Sequence, residues 1–355
     1  MKVGLRNMEI KKMNKSYLNI SGNLYDSEYI NLANVKDKKI CMDERTLFLS
    51  EEEKNALNLQ KICEFNNVLY LFKLNNIYGI VCDVPISEYK EDNIKCHELV
   101  IPETIQGMIS NLNGYNCEVA PVLLGHTNKI DYSKYINNKL YDEKFVFNDL
   151  EIYVMSGEEA DEIINKFRSV KCLYVADGHH RLYSTSLSNI KKENLACLIS
   201  FEYLNILPIH RIIKDISKES YMNAKQFINN KFKVLPSDEE LLKGRVKIKY
   251  RDDNFIVELI ELNSDPFWNN DIYRLNTQII SQAFRIFDNT RIEYLSTEEL
   301  CQKENSLLEN EILIETYPVS QEEFIESVDN NCIMPPKSTW FSPKFPSFLI
   351  FKAYQ

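Results

Sequence analysis

Glycine and proline are scarce, at nine and eleven of 355 residues. That excludes collagen-like repeats, Gly/Ser linkers and Pro-rich low-complexity chains. No run reaches the roughly 18 apolar residues of a membrane-spanning helix. The stretch from Met1 to Ser21 has charges but no apolar centre, so it does not read as a signal peptide. The nine cysteines include no C-x-x-C pair, and no four ligands lie at local zinc spacings. Cys82, Cys117, Cys172 and Cys197 lie in apolar runs. They read as reduced core thiols of a cytoplasmic protein. Basic charge is in deficit, with Lys+Arg 42 against Asp+Glu 52 and a net charge of -10. General nucleic-acid binding needs a cationic surface, so no nucleic-acid partner is expected, and no membrane partner either. Walker's G-x-x-x-x-G-K-[ST] phosphate loop is missing.

What the chain does have is enough apolar material for a core, 44% hydrophobic against 26% charged, which argues against disorder. Its length suggests two domains or one large one. Glu51 to Phe65 reads as a helix. Val68–Leu74 and Ile77–Val84 read as a hairpin turning at Asn75-Asn76, a pair that tolerates positive φ. Pro102 opens an amphipathic helix with Ile105, Met108, Ile109 and Leu112 on one face. An apolar strand follows from Cys117 to Leu124, and Ser156-x-x-Glu159 has the form of a capping box. Farther on come a helix near Ser217–Phe232, a hairpin around Asp252-Asp253-Asn254, and a helix with Ile279, Ile280, Ala283, Phe284 and Phe287 on one face. A second capping box begins at Ser320. Mixed strands and helices with two hairpins point to α+β, mixed sheets flanked by helices.

The strongest local signal is Val175-Ala176-Asp177-Gly178-His179-His180-Arg181, where a buried strand turns at Gly178 into a helix. Helix N-termini carry unpaired amides and partial positive charge, and bind anions, phosphate above all. His179, His180 and Arg181 would add donors to the same anion. The packing alternative is a polar cap around a buried His pair. Histidines number five in all. His97 precedes Glu98, and an imidazole beside a carboxylate is an arrangement suited to general-base work; a solvated loop pair is the other reading. His210-Arg211 adds charge or lies on the surface. In the tail, Pro335-Pro336 fixes extended backbone beside Lys337, Ser338 and Thr339. That loop either presents Lys337 to a ligand or leads into a strand anchored by Trp340 and Phe341.

Three segments together carry a resemblance: ADGHHR at 176–181, LNILPIHRIIKDI at 204–216 and IMPPKSTWFSPK at 333–344. They resemble a bacterial and archaeal family, the domain-of-unknown-function family numbered one thousand and fifteen, often encoded beside serine-biosynthesis genes. CHELVIPE at 96–103 is similar to its His-Glu motif, and Ala120-Pro121-Val122 and Thr316-Tyr317-Pro318-Val319 match in order. The resemblance runs from residue 65 to residue 353. Two departures stand out. The family's N-terminal Pro-Pro-Tyr-Asp is reduced to Leu24-Tyr25-Asp26, and Pro346-Ser347-Phe348 stands where the tail usually carries glycine.

The Asp-Gly-His-His-Arg box is in turn similar to the phosphate box of the ParB/sulfiredoxin superfamily, which includes CTP-binding partition proteins, sulfiredoxins and kinases of free serine. Sulfiredoxins place a cysteine in that box, where this chain has His179 and His180. Partition proteins add a helix-turn-helix and a basic surface that this chain lacks. The resemblance therefore implies nucleotide-dependent phosphotransfer to a small hydroxylated metabolite, serine or a similar free amino acid. ATP or ADP, or else CTP, would be the donor, with Mg²⁺. It implies Glu98 as base beside His97, with His180 also catalytic. Asp177, Gly178, His179, His180 and Arg181 would hold the nucleotide, and Asp177 would bind the metal or orient the first histidine. Arg211, Lys337, Ser338 and Thr339 would contact substrate. The competing readings are a nucleotide-binding regulator without turnover, or an accessory protein of a biosynthetic pathway. Homo-oligomerisation stays open. The expected organisation is a variable segment over 1–66, a ParB/sulfiredoxin-like part over 67–215 and a C-terminal α/β part over 216–355. Lys337 is expected near His179.

Overall fold

The computed structural model describes residues 8–27, 29–44, 46–262, 268–303 and 306–354. Two compact units emerge, Met1–Cys96 with Val100–Leu204 and Pro343–Gln355, and His97–Leu99 with Asn205–Ser342.

The first unit is organised on a long hairpin, Ile62–Leu74 and Ile77–Pro85, closed by Asn75 at φ 54 as expected. It lies within a 12-stranded mixed sheet. Met13–Asn19 pairs antiparallel with Ile62–Leu74, and Ile350–Ala353 pairs beyond it. On the other side Glu193–Ser200 lies antiparallel to Ile77–Pro85, with Val122–His126 parallel to it and Leu173–Asp177 antiparallel next. Successive side chains in a strand alternate faces. Leu69 and Leu71 thus enter one core with Ile80, Cys82, Leu124 and Val175. The helix Gly157–Phe167 covers that core with Ala160, Ile163 and Phe167. Ser156 makes no side-chain cap there. Apolar burial therefore holds this helix without the expected capping box.

Two local expectations need correction. The helix from Glu51 ends at Asn58, and strand begins at Ile62 because Ile62 to Val68 find partners along Met13–Asn19. Sheet pairing overrides local helix preference here. The strand expected from Cys117 to Leu124 is split into Cys117–Glu118 and Val122–His126, with Pro121, which has no amide to donate, in the gap.

The second unit holds a six-stranded antiparallel sheet. Arg245–Tyr250 and Asp253–Glu258 form its hairpin, Ile312–Thr316 pairs with Arg245–Tyr250, and His210–Ile213 follows. Ser217 caps the helix Lys218–Lys231 by accepting from the Ser220 amide. That helix packs Tyr221, Ala224 and Ile228 against Val246, Ile248 and Ile314. Leu275–Ala283 is a π-helix that buries Ile279, Ile280 and Ala283. Phe287 lies past its end and is 79% exposed, so it leaves the face assigned to it from spacing. Ser320 and Glu323 form the expected capping box. The α+β class read from the pattern describes the molecule. Among the described residues no helix is long and apolar enough to cross a membrane.

Candidate functional site

In the first unit the strand Leu173–Asp177 shifts register against its neighbour between Val175 and Asp177. A shift of this kind re-aims the following side chain. Gly178 then takes φ 97, ψ 26, a left-handed conformation open to glycine at little cost. The helix His179–Leu187 starts immediately, with no side-chain cap and no acidic residue in its first turn. The Leu182 amide is bonded to the Gly178 carbonyl at 3.0 Å. The amides before it have no acceptor within the helix and form its positive end.

Two cations flank Asp177. Arg181 Nη2 lies 2.6 Å from Oδ2 and Lys344 Nζ 3.2 Å from Oδ1. Burial, the largest influence, raises the Asp177 pKa, but Arg181, Lys344 and His179 together outweigh it and hold the carboxyl below its ordinary value. Arg181 Nη1 also donates to the Ala120 carbonyl at 2.9 Å and to Asn31 Oδ1 at 3.4 Å. A Cβ added to Gly178 would meet the Arg181 guanidinium at 3.0 to 3.3 Å. His180 Nε2 accepts from the Ile101 amide at 2.9 Å. In the neutral ring the proton then sits on Nδ1.

This geometry revises several expected roles. Arg181 does not point all its donors at one anion, since its guanidinium ties the turn to Ala120, Asn31 and Asp177. His180 has its Nε2 engaged by the Ile101 amide, so that nitrogen is not a donor to an anion. Asp177 does not fit a resident metal ligand, because each of its oxygens already faces a cation. Among the described residues no group of three or more His, Cys, Asp or Glu could hold a metal ion. Lys344 was missed as a site residue. Its signal was its place as the last residue of the Pro-Pro-Lys-Ser-Thr-Trp tail segment.

In the second unit the His97-Glu98 segment meets the tail. The Met334 amide donates to the His97 carbonyl at 2.7 Å, and Glu98 bridges Met334 in parallel. His97 is 1% exposed. Its Nε2 lies 2.8 Å from Thr339 Oγ1 and 3.7 Å from Glu98 Oε1, and its ring packs edge-on to Phe324. A solvated loop pair is therefore excluded for His97. Glu98 Oε1 accepts from the Ser338 amide at 3.3 Å, with the Glu98 side chain still 18% exposed.

The four residues expected to bind substrate divide. Lys337 is exposed at φ 59. Thr339 is bonded to His97. Ser338 is buried, and its hydroxyl donates to the Pro335 carbonyl at 2.6 Å. Arg211 is 0% exposed. It donates to the carbonyls of Ile209 at 2.8 Å and Lys337 at 3.3 Å, and lies 5.4 Å from the Tyr294 ring. Burial lowers its pKa to about 10. Arg211 thus positions the Lys337 loop and has no face for substrate. His210 is likewise buried, not surface. It accepts from the Thr316 amide, and burial pushes its pKa down to about 4. Lys337 belongs to the second unit and His179 to the first.

The sum is an α+β protein with an uncapped, cation-flanked strand-to-helix turn. Residues 50–298 match the family described as "Protein of unknown function (DUF1015)", and the chain belongs to that family. No curated protein sequence matches it significantly. Among solved structures it is similar to SbnI with a C-terminal truncation from Staphylococcus aureus. The identity is 12%, covering 75% of this chain and 85% of that one, with a TM-score of 0.46. A free serine kinase variant in complex with ADP is 13% identical, over 75% of this chain and 88% of that one, with a TM-score of 0.42. A conserved hypothetical protein from Pyrococcus furiosus is 14% identical, over 76% and 93%, with a TM-score of 0.41.

Proposed function

We propose that this protein is a nucleotide-dependent phosphotransferase acting on a small hydroxylated metabolite, serine or a similar free amino acid. The observation that carries the reading is the turn at Gly178. It combines an uncapped helix N-terminus with no acidic residue in its first turn and the flanking cations Arg181 and Lys344. Such a turn suits the phosphates of ATP or ADP. The amides from His179 onward and Nδ1 of His180 supply donors, while Arg181 and Asp177 hold the loop's shape. The nucleotide carries its own Mg²⁺ in this reading, because that ion keeps phosphate and water ligands readily. Phosphoryl transfer rests mainly on positioning and charge neutralisation. Glu98 is the proposed base, accepting the substrate hydroxyl's proton as that oxygen takes the phosphoryl group from the departing nucleotide. The Ser338 amide orients its carboxylate.

A second reading, a nucleotide-binding regulator, is favoured by the engagement of Arg181 and Glu98 within the fold itself. Product formation separates the two. Purified protein is incubated with Mg²⁺, each of ATP, ADP and CTP, and a panel of amino acids led by L-serine, and phosphorylated product is read by mass spectrometry. Product that disappears in Glu98→Gln and His180→Ala is the expected result. Undiminished turnover in Glu98→Gln removes Glu98 as base. Nucleotide binding without product with any member of the panel favours the regulator.

A further inference from the structure

A cavity of about 130 Å³ lies within the first unit, against the Arg181 side of the turn. Met108, Asn111 and Leu112 of the helix Pro102–Gly114 form one wall, and Arg181, Ser184 and Thr185 of the helix His179–Leu187 form another. At about 30 Å³ per water molecule the space equals roughly four waters. It is well below the 300 Å³ or so at which drug-sized pockets begin.

Ser184 marks the cavity as built for a ligand. It is 1% exposed, and its Oγ has no hydrogen-bond partner among the described residues. Buried hydroxyls are normally bonded, and a helical serine usually bonds back to its own helix. The neighbouring Thr185 does so, to the Arg181 carbonyl at 3.0 Å. Ser184 instead lines the cavity with a donor and an acceptor to spare.

The charges lining the space define what fits. Lys191 and Glu118 are both buried there and form an ion pair, and Glu118 Oε2 also accepts from the Leu195 amide at 3.1 Å. Arg181 is matched by Asp177. Each cation already has its carboxylate, so a ligand with net charge of either sign would leave one charge buried without compensation, which is costly. A neutral molecule carrying both charges has no such cost. Its carboxylate would meet Arg181, the Asn31 amide and the Ser184 hydroxyl, and its ammonium would meet Glu118. Leu32 and Leu112 close the remainder with apolar surface and leave room for a short side chain.

We infer that this cavity binds a small zwitterion, an α-amino acid with a side chain of a few heavy atoms. The inference goes beyond the phosphotransfer reading and stands without it, since binding here needs no nucleotide. The test is calorimetric titration of the full chain, without nucleotide, using glycine, L-alanine and L-serine. Acetate and ethylamine serve as half-ligands and L-tryptophan as an oversized one. A small amino acid should bind at least tenfold more tightly than either half-ligand or tryptophan. Ser184→Leu, which fills the space, should weaken it at least tenfold while ADP affinity stays unchanged. Should Ser184→Leu fail to fold, Ser184→Ala is the substitute and should weaken binding several-fold. No binding of any small amino acid, or binding unchanged in the folded variant, overturns the inference. Amino-acid binding that responds to Ser184 without any phosphorylated product counts against phosphotransfer alone.

Discussion

Replacing Gly178 with alanine should cost the first unit about 2.5–5 kcal/mol, from two separable sources. The residue sits at φ 97, and left-handed backbone costs an L-residue with a side chain roughly 1–2 kcal/mol. The new Cβ would also lie 3.0 Å from Arg181 Nη2 and 3.1 Å from Nε. A flexible arginine end could retreat, but this one is fixed by Asp177 at 2.6 Å and Ala120 at 2.9 Å. Giving up one hydrogen bond to a charged group costs about 1.5–3 kcal/mol. Both tryptophans, Trp268 and Trp340, belong to the second unit. Amide hydrogen exchange along Glu193–Ser200, inside the first unit, is therefore the more direct probe. In an Arg181→Met background the contact with the guanidinium is gone, and Gly178→Ala should cost only the backbone share, about 1–2 kcal/mol. Exchange within about 0.5 kcal/mol of the parent would refute the strain argument. An equal penalty in both backgrounds would refute the guanidinium contact.

Further outcomes follow from the buried charges. Burial raises the Asp83 pKa to about 7, with Lys352 at 2.9 Å opposing the shift. The native state then holds a proton that the unfolded state has lost, so this group makes stability fall as pH rises from about 4 towards 7, by up to about 1.4 kcal/mol per pH unit. Thermal melts across that range should flatten in Asp83→Asn. Asp177 has the opposite sign, because its folded pKa is lowered. Its stabilisation is complete above the ordinary carboxylate range and is lost as pH falls below about 4; melts of Asp177→Asn between pH 5 and 3 should lack that loss. Lys191→Met leaves Glu118 buried without its cation, at a cost of about 3–5 kcal/mol that a second change, Glu118→Gln, should largely return. Urea unfolding of the two variants side by side measures it, and equal stability of single and double variants would count against the pairing.

Legibility in the sequence followed the range of the interactions. The turn at Asn75, the Gly178 strand-to-helix junction and the Ser320 capping box are each determined within a few residues, and each formed as read. Ser156-x-x-Glu159 has the same local form, yet no side-chain cap is made there. Apolar burial of Ala160, Ile163 and Phe167 suffices for that helix, so nothing requires the cap. The helix expected to run to Phe65 gave way at Asn58 because Ile62 to Val68 pair with residues near the N-terminus. That partner is invisible to any local pattern.

The motif residues teach a sharper point about charge. Charged side chains in a distinctive motif suggest a binding role for Arg211 and Arg181. In the fold their guanidinium groups reach backbone carbonyls far away in sequence, Lys337 for one and Ala120 for the other. A planar guanidinium with five donors can hold a loop as well as it can hold a phosphate, and the sequence does not distinguish these uses because the carbonyls come from distant segments. Burial does distinguish them. Arg211 at 0% exposure acts on the Lys337 loop from inside, while Lys337 itself is exposed. By the same logic Arg181 shapes the Gly178 turn. Substituting either arginine should therefore disturb loop geometry first and affinity second. Arg211→Lys, which keeps the charge but not the fork, should fail to rescue Arg211→Ala in thermal melts, whereas a mere need for positive charge would let lysine restore it.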